Sequence, residues 1–437
     1  MKYYLAIDIG ASSGRAIVSY MENGEQKLDE VYRFPNNVTE CDEHLIWDIP
    51  SLFQSIKEGI RQAFVKYPTI ESLAIDTWGV DYCILYGDKS AECVFAYRDS
   101  RTAKTIPLVH EKTPFATLFA KTGIMFNTFN TVYQLYDDLL AGRLEGATDF
   151  LMLPEYFSYL LTGVKKKEYT NATTTGLVNA AARAFDLELT DALGLPRQLF
   201  DITLAEPGDS LGALLPEIAA EVGGNTEVVL CASHDTASAV EGIPMDADAK
   251  APYISSGTWS LLGVKVPAPI TGEEALAVNF SNEGGVGYIR FQKNIMGLWI
   301  VQSLRRELCP DKNFETIVDE ARTSTFGGTF NVNDESFLAP KSMKQAIENA
   351  FPEGEQPTRE CDFFYCALRS LALGYRDAIR ELESLTGEKY DALYIVGGGA
   401  KNSLLNALTE EAIGFRVVAL PIEATALGNL KIQMNRK

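Results

Sequence analysis

Tyr3-Tyr4-Leu5-Ala6-Ile7-Asp8-Ile9-Gly10-Ala11-Ser12-Ser13-Gly14-Arg15-Ala16-Ile17-Val18 joins two apolar, β-prone runs through a corner of small and hydroxylic residues. The pattern predicts a hairpin closing at the turn Glu22-Asn23-Gly24, with an unusual Gly/Ser bend at its start. Glycine permits positive φ and close backbone approach, so successive N–H groups of such a bend can point inward at an anion. The hydroxyls of Ser12 and Ser13 and the cation of Arg15 add donors, and Asp8, just ahead of the bend, is placed to hold Mg2+ through water. The plain alternative is a tight hairpin with a capping aspartate.

Residues 50–64 carry Leu52, Phe53, Ile56, Ile60 and Phe64 at helical spacing with Pro50 in the first turn. A strand at 73–75 then runs into Asp76-Thr77-Trp78-Gly79-Val80-Asp81. Strands and helices alternate, which predicts a layered α/β domain. The same grammar returns in the second half. Tyr253-Ile254-Ser255-Ser256-Gly257-Thr258 bends into Trp259-Ser260-Leu261-Leu262-Gly263-Val264, again strand, Ser/Gly/Thr corner, strand. An amphipathic helix follows over 363–382, then a strand at 393–396, Gly397-Gly398-Gly399, and a helix beginning near Asn402. The repeat points to duplication: two α/β lobes, 1–241 and 242–437, each opening with a hairpin whose corner suits an anion. The boundary is expected near Gly242-Ile243-Pro244, ahead of the turn-rich 246–252.

Composition narrows the function classes. The 437 residues carry 39 Lys+Arg against 59 Asp+Glu, a net charge of -20, which disfavours nucleic-acid phosphates or anionic lipid as partners. An anionic ligand must then be held by local geometry. Three histidines (His44, His110, His234) without helical ligand spacing, and seven cysteines without a CxxC pair, argue against the usual zinc sites. The scattered cysteines and the lack of a basic-plus-apolar start suggest a reducing cytoplasm, and no apolar run approaches the ~18 residues of a membrane span.

Two further motifs carry chemistry. Ser233-His234-Asp235-Thr236 ends the apolar strand 228–231 and opens a helix, a position where side chains project into the crevice lined by strand ends. Contiguous Ser, His and Asp make poor triad geometry, and no Gly-x-Ser-x-Gly elbow occurs. Asp235 is then either a helix cap or a base that accepts a hydroxyl proton, with His234 holding the alcohol. The glycine run 397–399 is either a crowded strand-to-helix turn or a flat surface on which a ring such as adenine lies.

These stretches, together with Tyr97-Arg98-Asp99-Ser100-Arg101-Thr102, Tyr159-Leu160-Leu161-Thr162-Gly163, His234-Asp235-Thr236-Ala237-Ser238-Ala239-Val240 and Glu423-Ala424-Thr425-Ala426-Leu427-Gly428-Asn429, resemble the FGGY carbohydrate kinases, in order from residue 3 to about 430. The resemblance implies two actin-like, ribonuclease-H-type lobes with a cleft between them, closing on MgATP and a sugar, with transfer of a phosphoryl group to a sugar hydroxyl. By the same resemblance Ala11, Ser12, Ser13, Gly14, Arg15 and Thr258 line the triphosphate, Gly398 contacts the adenosine, and Asn294 and Gln302 match nucleotide-binding positions. Gly79, His234, Asp235 and Thr236 match the sugar site, with Asp235 the catalytic base. Without the resemblance, Asn294 and Gln302 read as a strand-end amide and a surface glutamine. The implied partners are the sugar and ATP, with no nucleic acid or membrane, in a monomer or homodimer. A second activity of the same family, or a non-enzymatic actin-like ATP-binding protein, are the alternatives. Three departures stand out: Glu155 where the family pattern leads one to expect Asp, Phe185 where it has Trp, and an expected longer C-terminal end where this chain stops at Lys437.

Overall fold

The computed structural model describes residues 1–245, 250–420 and 422–436. Residues 246–249 of the turn-rich junction and Lys437 thus lie outside the described residues. In chain order, the elements that position the site begin with strands β1 (Tyr4–Ile9), β2 (Ser13–Glu22) and β3 (Glu25–Pro35), helix α1 (Ile49–Lys66), strand β4 (Ser72–Thr77) and helices α2 (Leu153–Thr162) and α3 (Tyr169–Thr173). Strands β5 (Ser210–Ala213) and β6 (Glu227–Val229), helix α4 (Asp235–Glu241), and strands β7 (Tyr253–Ser256), β8 (Trp259–Val266) and β9 (Ile289–Met296) follow. Helices α5 (Trp299–Leu308) and α6 (Glu360–Thr386), strand β10 (Ala392–Val396), helix α7 (Ser403–Ile413), strand β11 (Arg416–Ala419) and helix α8 (Ala424–Asn435) complete the set.

The chain divides into two compact units. Unit 1 comprises Met1–Pro244, Val266–Arg290 and Ala424–Lys437; unit 2 comprises Met245–Lys265 and Phe291–Glu423. The sheet of unit 1 runs β5-β6-β4-β1-β2-β3. Its central strand β1 is antiparallel to β2 and parallel to β4, in the register Asp8 opposite Arg15 on one side and Asp76 on the other. The strands of unit 2 run β9-β8-β7-β10-β11, with β7 antiparallel to β8 and parallel to β10. In each unit a first strand thus lies between its hairpin partner and a later parallel strand, the order expected of ribonuclease-H-type lobes.

Side-chain alternation explains how the first sheet is covered. Leu5, Ile7 and Ile9 of β1 and Leu73 and Ile75 of β4 share one face and pack with Ile56, Ile60 and Ala63 of α1. Asp48 caps α1 by accepting from the Ser51 N–H, and Pro50 sits in its first turn. Each fully buried isoleucine on this face contributes about 1.5–3 kcal/mol. Ala6 and Ile17 point to the other face, where Ala426 and Leu430 of α8 cover them. In unit 2, α6 buries Phe364, Leu368, Leu371, Tyr375, Ile379 and Leu382 along one stripe.

Candidate active site

The corner of unit 1 is pinned by its neighbours. The Gly10 N–H donates to the Ser13 carbonyl at 2.9 Å, Asn36 Nδ2 donates to the Gly10 carbonyl at 2.9 Å, and the Asn36 N–H donates to the Ser12 carbonyl at 3.0 Å. Ser12 is exposed, while Ala11 and Ser13 are half-buried. Gly14 has a packing reason for being glycine, since a Cβ there would overlap the ring of Phe34. The Arg15 guanidinium lies on Asp8, with Nε at 3.0 Å and Nη2 at 2.8 Å from Oδ2. Cross-strand register in the hairpin produces this pair.

Beside β1, the carboxyl end of β4 lies against the segment 230–234 that leaves β6. The Thr77 N–H donates to the Ser233 carbonyl at 3.0 Å, so Gly79 and His234-Asp235 leave neighbouring strand ends. His234 holds the cap position of α4 but makes no side-chain capping bond, and Asp235 is the first helical residue. Asp235 is therefore not a cap. Its side chain is 30% exposed, its Oδ1 stands 3.5 Å from His234 Nε2, and it accepts from Thr236 Oγ1 at 3.1 Å. Ser233 Oγ donates to Glu168 at 2.7 Å rather than to histidine, which removes the Ser-His-Asp reading. On its other edge His234 Nδ1 is 3.2 Å from Glu283 Oε2 and 3.2 Å from Arg290 Nη2. Arg290 is wholly buried, and Nη2 also reaches Glu283 at 3.0 Å.

The turn after β4 is unusual. Val80, β-branched, has φ 69°, a left-handed conformation that costs such a residue free energy. The surroundings enforce it. Thr174 Oγ1 accepts the Val80 N–H at 3.1 Å, and Thr131 Oγ1 donates to the Val80 carbonyl at 2.7 Å. Gly79 packs against the same threonine, whose Cγ2 would lie 2.9 Å from a Cβ at that position. Asp81 anchors the far side, accepting from the indole N–H groups of Trp47 (2.7 Å) and Trp78 (2.8 Å). Burial pushes its carboxyl up to about 6, against the pull of those donors.

Carboxyl groups are concentrated around Asp8. Asp76, fully buried, receives Asn429 Nδ2 of α8 at 2.6 Å on Oδ2, whereas Oδ1 is buried without a hydrogen-bond partner. Burial raises the Asp76 pKa well above the carboxylate range, and the charges of Asp8 and Asp235 raise it further. Asp235 is also raised, first by burial and then by Asp8, with His234 opposing. A carboxylate whose proton affinity is raised is a better acceptor for a hydroxyl proton. The oxygen donors of this group suit a hard divalent cation. Among the described residues, no three His, Cys, Asp or Glu side chains form a ready-made metal cage.

Unit 2 builds its own corner. The Gly257 N–H donates to the Trp259 carbonyl, and the Leu298 and Trp299 N–H groups donate to the Gly257 and Thr258 carbonyls. Gly297 is needed there because a Cβ would come within 2.7 Å of the Thr258 oxygen. Thr258 is exposed. Gln302, half-buried, lies on α5, which starts from this contact. Asn294, on β9, keeps a buried Oδ1 without a partner. Gly397 has φ 82° and abuts the Ser256 carbonyl, and a Cβ at Gly399 would overlap the Ser256 hydroxyl. Gly398 is exposed, and the Ser256 oxygen lies 3.9 Å from a would-be Cβ, with nothing nearer among the described residues. Thr258, the start of the Gln302 helix and Gly398 are thus gathered at the end of β7.

Sequence reading missed the buried partners: Glu168, Thr174, Glu283 and Arg290 around the strand ends, and Asn429 on Asp76. Asn429 stood inside a quoted motif without a role, and the others had no local signal, since each acts across a long sequence separation. Glu155 is buried at the start of α2, where it accepts from the Met152 and Glu168 N–H groups at 3.0 and 2.7 Å, and burial lifts its carboxyl to about 8. Phe185 is a core residue.

Comparison with known proteins identifies the lineage. Residues 3–242 match the N-terminal domain, and residues 252–435 the C-terminal domain, of the FGGY family of carbohydrate kinases. The chain is 41% identical to a rhamnulokinase of Oceanobacillus iheyensis over 436 residues, covering 98% of this chain and 92% of the relative. It is 40% identical to a rhamnulokinase of Bacillus subtilis over 439 residues, covering 99% and 90%. A ligand-bound xylulose kinase from Lactobacillus acidophilus superposes with a TM-score of 0.84 at 17% identity, covering 100% of this chain and 89% of the other. A Plasmodium falciparum glycerol kinase with ADP gives 0.79 at 15% identity, covering 99% and 89%. These two share the fold of two actin-like α/β lobes. The chain belongs to the FGGY family of carbohydrate kinases and is an ATP-dependent sugar kinase.

Proposed function

We propose that the sugar is L-rhamnulose and that the chain transfers the γ-phosphoryl group of ATP to its C1 hydroxyl, giving L-rhamnulose 1-phosphate and ADP. The observation that carries this reading is the near-full-length identity of about 40% to relatives that are rhamnulokinases. Asp235 is the base: its raised proton affinity and partly exposed side chain at a strand end support its taking the hydroxyl proton as phosphorus is attacked. His234, Thr236 and the turn at Gly79 orient the sugar. For the nucleotide, we assign Ala11, Ser12, Ser13, Gly14 and Arg15 in unit 1, and Thr258, Asn294, Gln302 and Gly398 in unit 2. Arg15 acts there mainly by holding Asp8, to which its guanidinium is bonded.

Mg2+ arrives with ATP as part of the substrate. Asp8 would hold it through water, and the partnerless oxygen of Asp76 supports a local demand for positive charge. The ion supplies charge neutralisation on the phosphates. We further propose the functional division at 241/242, sugar and base on the N-terminal side and, apart from the 11–15 corner, the nucleotide on the C-terminal side, supported by the boundary between the two family matches. A reducing, cytoplasmic setting is supported by seven free cysteines. No helix among the described residues is long and apolar enough to cross a membrane. We keep monomer or homodimer as the state of assembly.

The test is a coupled ADP-release assay over a panel of ketoses and polyols. L-Rhamnulose is expected to give the highest kcat/KM, and preference for another sugar overturns the substrate assignment. Asp235→Asn is expected to bind both substrates and lose about 10²–10⁴-fold in turnover. Near-normal turnover would sink the base assignment.

A further inference from the structure

Glu168 is fully buried and sits at the cap position of α3. Its carboxylate accepts the Thr170 N–H at 2.7 Å, the Thr170 hydroxyl at 2.6 Å and the Asn171 N–H at 3.1 Å. Those bonds suffice for a helix cap. Two more donors come from far along the chain: Ser233 gives both its N–H, at 3.1 Å, and its hydroxyl, at 2.7 Å. Ser233 immediately precedes His234 and Asp235. From the other end of the same short helix, the Asn171 carbonyl takes the Thr174 hydroxyl at 2.8 Å, and that hydroxyl oxygen receives the Val80 N–H. The carboxylate therefore ties down the strand end at Ser233, and the short helix it caps holds the turn at Val80 through Thr174.

We propose that Glu168 is a positioning residue for the catalytic base. By clamping both donors of Ser233 it fixes the direction in which His234 and Asp235 leave the sheet, and through α3 it fixes the Gly79-Val80 turn relative to them. The inference rests on the assignment of Asp235 as base. A carboxylate suits the task because its two oxygens accept all five donors, four at Oε2 and the Thr170 N–H at Oε1, whereas an amide of equal size would turn its NH2 group toward at least one of them. Positional errors near 1 Å at reacting groups cost about 10²-fold in rate, so a clamp of this kind shows in kcat before it shows in binding.

Ser233→Ala is the discriminating variant, because it removes one bond of the clamp and leaves every bond of the α3 cap. It is expected to lower kcat about tenfold with sugar and ATP KM within about twofold, and Ser233→Thr, which restores the hydroxyl, to recover most of the loss. Glu168→Gln can keep an oxygen at the Oε2 position, where both Ser233 donors meet, and is expected to lower kcat less than Ser233→Ala, in the same pattern. If Ser233→Ala keeps kcat within about twofold while only its melting temperature falls, Glu168 is merely a cap and the proposal is overturned. A wild-type protein that phosphorylates no sugar is the failure of the activity reading instead. In that case crystals of Ser233→Ala decide: displacement of the 233–236 segment supports the clamp, and an unmoved segment refutes it.

Discussion

Ser256 holds Gly397 and Gly399 to glycine, one through its backbone oxygen and the other through its hydroxyl, and nothing among the described residues does so for Gly398. The flat surface that three glycines offer is thus reduced to one position with open space above it. Gly398→Ala is expected to leave the melting temperature within about 1 °C, since neither strain nor overlap opposes the methyl, yet to raise the KM for ATP severalfold. An unchanged KM would remove the adenosine assignment. Asp81 makes a pH prediction. Its folded pKa of about 6 lies above the ordinary 3.8, so the native state keeps a proton that the unfolded chain has released. Its contribution to stability is complete below about pH 4, declines as pH rises, and is lost above about pH 6, a span of about 3 kcal/mol. Asp81→Asn does not titrate, so its stability relative to wild type is expected to rise between pH 4 and 6 and level off above. A difference flat across that range in paired thermal melts would contradict this. At this scale the sequence showed which residues were unusual, such as Gly14 and Gly79, but not why. Their neighbours Phe34 and Thr174 are found only in the fold.

Between elements, the close contact of α4 with α8 sets the place of Asp235, the base proposed above. A Cβ at Gly428 would overlap the Ser238 carbonyl oxygen, and one at Gly242 would overlap the Ala424 carbonyl oxygen, so the two helix backbones approach as closely as glycine allows. α4 begins with Asp235. Gly428→Ala is expected to push the helices apart, costing about 1–3 kcal/mol as overpacking does and lowering kcat along with stability. A variant of wild-type stability and turnover would show that the contact is slack. Hairpins, α1 and α6 were legible because alternation and 3.6-residue spacing are local properties. The sheet that α8 covers was not, because a helix rich in Ala, Gly and small polar residues carries no stripe to mark its partner. What fixes it is a set of long-range bonds, including Asn429 to Asp76 and Gln433 Nε2 to the Leu5 carbonyl at 2.9 Å.

For the whole molecule, the repeated Gly/Ser corner was enough to read duplication, because hairpin-plus-corner is the part of each sheet that is contiguous in sequence. Positions joined across the chain, such as Glu168 with Ser233, were beyond it. The charge of -20 also takes on a structural sense, for Arg290, the buried cation beside His234, is bonded to Glu283, and Arg15 is bonded to Asp8. Recognition of a polyanion by this chain then leans on backbone N–H groups and hydroxyls. One more consequence follows from the discontinuity of unit 1, which takes its last helix from residues beyond 423. A ribosome delivers the chain from the N-terminus at about 5–20 residues per second, so Asp8 and Asp76 wait on the order of ten seconds or more for Asn429 to be made. A nascent chain therefore carries Asp235 and its first corner long before α8, the floor beneath them, has been made.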